Sequence, residues 1–185
     1  MRLPVYDPQD LVGNTIAEVL RQEPFRLCPI SVDGGGVYVL YYAGDHALYR
    51  TIRSPDATVP IYVGSTQHMA RRLATHCRTI DDAWNLDRGD FLCRVLMLPP
   101  TWELPVEAKL IERFNPWWNR PDFQGFGNNN SRRVGGKASS WDVAHPGRAG
   151  ALRLERTPEA VAAMAVERDA PGSNPVFDLF GSRDG

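Results

Sequence analysis

The sequence predicts an α+β fold, a small antiparallel sheet flanked by helices, and three observations carry that expectation. Two apolar, tyrosine-bearing runs, GGGVYVLYY (34–42) and VPIYVGS (59–65), read as strands, because aromatic and β-branched residues suit a pleated, half-buried surface. A third run, FLCRVLML (91–98), stops at Pro99 and Pro100 and reads as a buried strand. Around them the periodicity turns helical. Met69, Leu73 and Cys77 recur every four residues over 67–78, and ELPVEAKLIERFNP sets Pro105 near a first turn and Pro116 past a helix end.

Taken in order, residues 8–22 place Leu11, Ile16, Val19 and Leu20 at mostly helical spacing, with Asp10 as the candidate cap. Three glycines open the first strand, and ALYRTI (47–52) reads as a further strand segment before PIYVGST. The core order is therefore β, β, α, β, α. From PWWNRPDFQGFGNNN through SRRVGGKASSWDVAHPGR the chain is rich in Gly, Asn, Pro and Trp, which predicts ordered loops rather than periodic structure. Thr157 and Pro158 open a short alanine-rich helix ending near Arg168, and the residues from Pro171 onward read as a mobile tail. The expected organisation is an N-terminal helical extension (1–33), a catalytic core (34–120), a basic, loop-rich extension (121–168) and the tail (169–185).

At 185 residues and 43% hydrophobic content the chain can bury a core without disulfides. Its three cysteines, Cys28, Cys77 and Cys93, form no C-x-x-C pair, and no apolar leader is read at the start, so reduced thiols and a cytoplasmic location are expected. Apolar runs fall short of the roughly 20 residues that span a bilayer, so no membrane partner is expected. The net charge of -1 hides an uneven distribution: Arg132, Arg133, Lys137, Arg148, Arg153 and Arg156 face only Asp142 and Glu155. Such a segment is either a solvated arginine-rich loop or a surface that tracks phosphates.

Ten residues after Tyr62 comes Arg72, and four further on His76, so a helix would project both from one face. Glu107 shares the stripe of Leu110, Ile111 and Phe114, and a carboxylate on a stripe that packs on a sheet needs a partner or a metal. Glu103 and Glu112 are expected to project elsewhere, into solvent. Asn119, in NPWWN, offers a neutral amide that can hold a water or a phosphate oxygen. Cys77 beside His76 makes no nucleophile and base pair, since adjacent helix residues point about 100° apart. The remaining groups form a coherent kit. One carboxylate can hold a single Mg²⁺ with water and phosphate oxygens, an arginine can stabilise a pentavalent phosphorane, and a phenol can orient or deprotonate water if positive charge lowers its pKa.

GVY (36–38), then YVG (62–64), then R-x-x-x-H, a lone helical Glu and an Asn resembles the GIY-YIG nucleases in chain order. DPQDLVGNTIAEVLRQEPF, PIYVGST, FQGFGNN and SSWDVAHPGR extend the resemblance to the compact type II restriction endonucleases, particularly the branch that cuts CCGCGG. It spans residues 5–150. The resemblance implies a metal-dependent endonuclease that cuts double-stranded DNA at a short G·C-rich palindrome, with Mg²⁺ as cofactor and Mn²⁺ as its substitute. It also implies a homodimer on DNA and a cognate DNA methyltransferase as genetic partner.

By position, the resemblance makes Tyr38 the general base, Tyr62 a second active-site phenol, Arg72 the phosphate clamp and His76 the assistant of Tyr38. Glu107 becomes the metal ligand, and Asn119 completes the pocket. DNA contacts are expected from Arg132, Arg133, Lys137 and Arg148, with Trp141 packing their loop, and a dimer contact from the helix around Leu11, Ile16 and Val19. The short route from Tyr62 to Arg72 departs from many members of that branch and bears on the DNA site read more than on the chemistry. Two rivals stay open: a GIY-YIG repair or homing-type nuclease, and a DNA-binding module that has lost the reaction. The recognition sequence, the overhang and the tyrosine that takes the proton are not encoded legibly.

Overall fold

The computed structural model describes residues 8–31, 34–127 and 138–148, with side chains from residue 12 onward. The predicted alanine-rich helix and tail, and Arg132, Arg133 and Lys137, lie outside these residues. Helix α1 (Pro8–Arg21) leads to a two-residue strand β1 (Phe25–Arg26) and then to β2 (Gly36–Tyr42) and β3 (Pro60–Thr66). Helix α2 (Met69–Asp81), strand β4 (Phe91–Met97) and helix α3 (Glu103–Phe114) follow, and a short α4 (Ser140–Ala144) closes the described chain.

The sheet has the order β1-β4-β2-β3 with every pair antiparallel, so β2 is central and β3 is an edge. Burial of β2 on both faces explains why its sequence is apolar without a break. Its side chains alternate between two cores. Val37, Val39 and Tyr41 face α1 and α3 with Ile16, Val19, Val63, Val106 and Leu110, while Tyr38, Leu40 and Tyr42 face Met69, Leu73, Cys77 and Ile80 of α2 and the aromatic residues after α3.

Four expectations are corrected. Residues Ala47–Ile52 form a 3₁₀ helix, not a strand: His46 Nδ1 accepts from the Leu48 amide, and only Tyr49 of the segment is fully buried. Asp10 lies inside α1 rather than at its cap. Ile16 and Val19 are buried against the sheet and α3, so they serve the chain's own core instead of a partner's surface. Glu112 is exposed and pairs with Lys109 Nζ at 2.8 Å, but Glu103, in the first turn of α3, is only 4% exposed. The Gly- and Trp-rich stretch also holds two short helical turns, Trp117–Asn119 and α4.

Candidate active site

The register of β2 with β3 sets Tyr38 opposite Gly64 and Leu40 opposite Tyr62, so both tyrosines lie on the α2 face of the sheet, one rung apart. Gly64 is required there. A Cβ at this position would overlap the Tyr38 phenol oxygen. Val37 pairs with Ser65, which turns Ser65 to the opposite face, toward α3. Because β3 is the sheet edge, groups from both faces meet around it. They line a cavity of about 490 Å³ with Tyr38, Tyr62, Ser65, Arg72, Glu107 and Asn119 among its walls.

Among the described residues Glu107 is held by Ser65 alone: the Ser65 amide donates to Oε1 at 3.1 Å and Ser65 Oγ to Oε2 at 2.5 Å. Both oxygens keep lone pairs, and Glu107 is the only carboxylate among the described lining residues. One fixed carboxylate with room beside it suits a hard divalent cation that takes its remaining oxygens from water and phosphate. The residues thus fit the divalent metal that the sequence resemblance implies.

Arg72 lines the same cavity from α2, and no carboxylate among the described residues lies within ion-pair distance of it. Its guanidinium is free to meet an anion. His76, one turn on, is buried, and its Nε2 lies 2.7 Å from Tyr38 Oη. Burial first, and Arg72 second, lower the His76 pKa to about 3, so the imidazole is neutral. Tyr38 moves the other way. Burial and the neighbouring Tyr62 raise it well above its ordinary value, outweighing Arg72, and burial and Glu107 raise Tyr62 as well. The condition for a phenol that readily gives up its proton, a pKa lowered by positive charge, is therefore not met by Tyr38 in the protein without DNA, because desolvation of a phenolate is the larger effect.

Asn119 has a different task from the one its amide suggested. Its Oδ1 accepts from the Val63 amide and its Nδ2 donates to the Val63 carbonyl, both at 2.8 Å, so both ends of the amide are engaged by β3. Trp141 is fully buried against Trp118, Phe126 and His145, which fits a packing role. Arg148 is also engaged: it pairs with the buried Asp142, donates to the Gly125 carbonyl at 3.0 Å and lies over the Trp141 ring. That guanidinium braces the segment after α3 and is not open to a base edge.

Several site-building residues were invisible to sequence reasoning. Ser65 carries no signal beyond following YVG. Phe126 stacks on His76, and Tyr49 and His145 form a buried polar pair behind Trp118 that ends on the exposed Asn85. Aperiodic loops offer no pattern from which such contacts can be read.

A family model described as the Eco29kI GIY-YIG domain matches residues 31–169. The chain belongs to this family. The Eco29kI family is one of restriction endonucleases within the GIY-YIG superfamily, and its fold is that of a DNA endonuclease domain. No curated protein matches the chain. Among solved structures, the GIY-YIG N-terminal endonuclease domain of UvrC from Thermotoga maritima, bound to its catalytic magnesium, is similar at 17% identity and a TM-score of 0.32, over 62% of this chain and 100% of that one. Two tyrosine-to-phenylalanine mutants of the same domain give 17% identity with a TM-score of 0.31, and 16% with 0.32. Each covers 62% of this chain, and 99% and 100% of its own. No helix among the described residues is long and apolar enough to cross a membrane.

Proposed function

We propose that this member of the Eco29kI family is a type II restriction endonuclease that hydrolyses phosphodiester bonds in double-stranded DNA at a short G·C-rich palindrome, of which CCGCGG is the first candidate. The observation that carries the reading is the meeting, in one cavity at the β3 edge, of a fixed carboxylate, a free arginine and two phenols backed by a neutral histidine.

In this reading Glu107 holds Mg²⁺, or Mn²⁺ in its place, while Ser65 keeps the carboxylate oriented. A bound divalent cation supplies Lewis-acid stabilisation of the charge that builds on the phosphoryl oxygens. Arg72 clamps the scissile phosphate and matches the extra negative charge of the phosphorane. Tyr38 begins as a neutral phenol joined to His76 Nε2, and as its oxygen takes the attacking water's proton its own proton passes to His76 Nε2. Tyr62 lines the other side of the water's approach, and Asn119 keeps the β3 edge in register beneath it.

The DNA sequence is read by the basic stretch after the core, with Arg132 and Arg133 as the planar donors that match guanine O6 and N7 and Lys137 on phosphate. Arg148 and Trp141 tie together the described residues on either side of it, through Gly125 and Gln124. A palindrome is most simply read by a two-fold protein, so the working unit on DNA is a homodimer, each copy cutting one strand. A cognate DNA methyltransferase protects the host site. The test is digestion of a plasmid of known sequence with Mg²⁺ followed by sequencing of the ends. Discrete ends repeated at one palindrome support restriction, ends at flaps or branches transfer the chain to the repair class, and intact plasmid removes the nuclease reading.

A further inference from the structure

Phe126 is 4% exposed and belongs to a loop, yet it touches both halves of the catalytic kit. Its ring lies parallel to the His76 imidazole, with centroids 4.5 Å apart and planes 13° from parallel. It meets Tyr62 edge-on at 5.0 Å and 78°, and it packs on Trp118 at 4.4 Å. His76 needs such a neighbour. Its one hydrogen-bond partner is Tyr38 Oη, and its buried Nδ1 has none among the described residues. A ring tethered at one nitrogen can still tilt about that tether, and the face of Phe126 removes this freedom. Gly127 lies against the second phenol, where a Cβ would overlap Tyr62 Oη.

The loop is itself held. The Trp141 amide donates to the Gln124 carbonyl at 2.9 Å, and Arg148 Nη2 donates to the Gly125 carbonyl at 3.0 Å. Gly125, at φ +131°, sits so close to Ser139 and Trp141 that no side chain fits. Phe126 is therefore placed by a chain of contacts reaching from α4 to the cavity.

We infer that Phe126 is a positioning residue, whose ring fixes the plane of His76 and the pitch of Tyr62 so that the Tyr38–His76 pair meets the cavity in a single orientation. Its catalytic meaning rests on the nuclease reading above; its geometry does not. Phe123 is the matched control, a buried loop phenylalanine whose ring pairs with Trp117 and, among the described residues, makes no ring pairing with His76 or Tyr62.

The experiment compares Phe126→Leu with Phe123→Leu by thermal melting, DNA affinity, single-turnover cleavage and the NMR shift of the His76 Cε1 proton. Phe126→Leu is expected to slow the cleavage step roughly 10- to 100-fold, the scale of a small misplacement of catalytic groups. DNA affinity should stay within about twofold, as expected when only the transition state is affected. The His76 resonance should move downfield as the ring current of the stacked face disappears. Phe123→Leu is expected to lower the melting temperature comparably and leave the rate and the resonance unchanged. Phe126→Met, which keeps volume without a ring face, replaces the Leu variant if that one does not fold. A Phe126 variant that cuts at the wild-type rate, or no slower than Phe123→Leu, overturns the inference. If wild-type protein cuts no DNA, the nuclease reading and the catalytic part of the inference fall together, and an unmoved His76 resonance overturns the stack itself.

Discussion

The Tyr38 ring crosses strand β3 over Gly64, close enough that the glycine hydrogen is all the space allows. The two mirror-image tripeptides, GVY and YVG, are thus one device: the glycine of the second makes room for the tyrosine of the first.

Gly64→Ala is expected to push the Tyr38 oxygen off His76 and slow cleavage by roughly two orders of magnitude, with about 1 to 3 kcal/mol lost from stability by overpacking. Single-turnover rates and urea denaturation measure the two effects separately. Wild-type cleavage would show that the phenol's position does not matter.

Glu107→Gln should abolish cleavage and leave DNA binding largely intact, since it removes the one carboxylate among the described lining residues and keeps the side chain's shape. Ser65→Ala should weaken cleavage less, about tenfold, because the amide donor to Oε1 survives. Gel-shift and cleavage assays on one duplex decide this, and a Gln variant that cuts normally transfers attention to the buried Glu103.

Arg72→Ala is expected to reduce turnover by roughly 10² to 10³ with a smaller change in ground-state affinity. Equal losses in both would make Arg72 a simple phosphate contact.

Tyr38→Phe should lower the rate by about two orders of magnitude or more, the cost of losing a proton acceptor while the ring still packs. Since burial holds the Tyr38 pKa well above 10.0, the DNA-free protein should show no phenolate absorbance from this residue at neutral pH. A Tyr38 phenolate near neutrality, seen as the difference between wild type and Tyr38→Phe, would contradict that environment.

Acid should unfold the protein early. His76 and His145 are buried and neutral, each with a pKa lowered from 6.5 to about 3, His145 by burial first and then by His46 and Arg148. The unfolded chain binds protons that the folded one refuses, so stability is full above pH 6.5 and falls as pH drops toward 3. The slope is about 1 kcal/mol per pH unit for each histidine. Urea denaturation between about pH 7 and about pH 5 measures it, and His145→Gln should make it shallower. A flat profile would mean that these imidazoles are not buried.

Where the sequence was legible, periodicity made it so. The strands at 34–42, 59–65 and 91–98 and the helices carrying Arg72 and Glu107 lie within a few residues of where their patterns put them. ALYRTI misled because its spacing imitates a strand, whereas His46 caps the segment into a 3₁₀ turn, an effect set by one side chain. Glu107 was readable as a carboxylate on an apolar stripe, but its partner Ser65 lies 42 residues away and no local pattern joins them. Charge counting could not distinguish an arginine that meets phosphate from one that meets Asp142, which is why Arg148 was misjudged.

Asn119 has a further consequence for how copies of the chain can meet. An edge strand with unpaired amides invites another strand to join it. Here the Asn119 side chain fills both backbone groups of Val63 as a neighbouring strand would, in the middle of the edge strand. At the other end of the sheet, β1 is only two residues long. A second molecule cannot extend the sheet through Val63 without evicting Asn119 from the cavity wall, so sheet growth and an intact cavity exclude each other. The protection against strand-to-strand pairing at Val63 is thus built into the wall of the cavity itself.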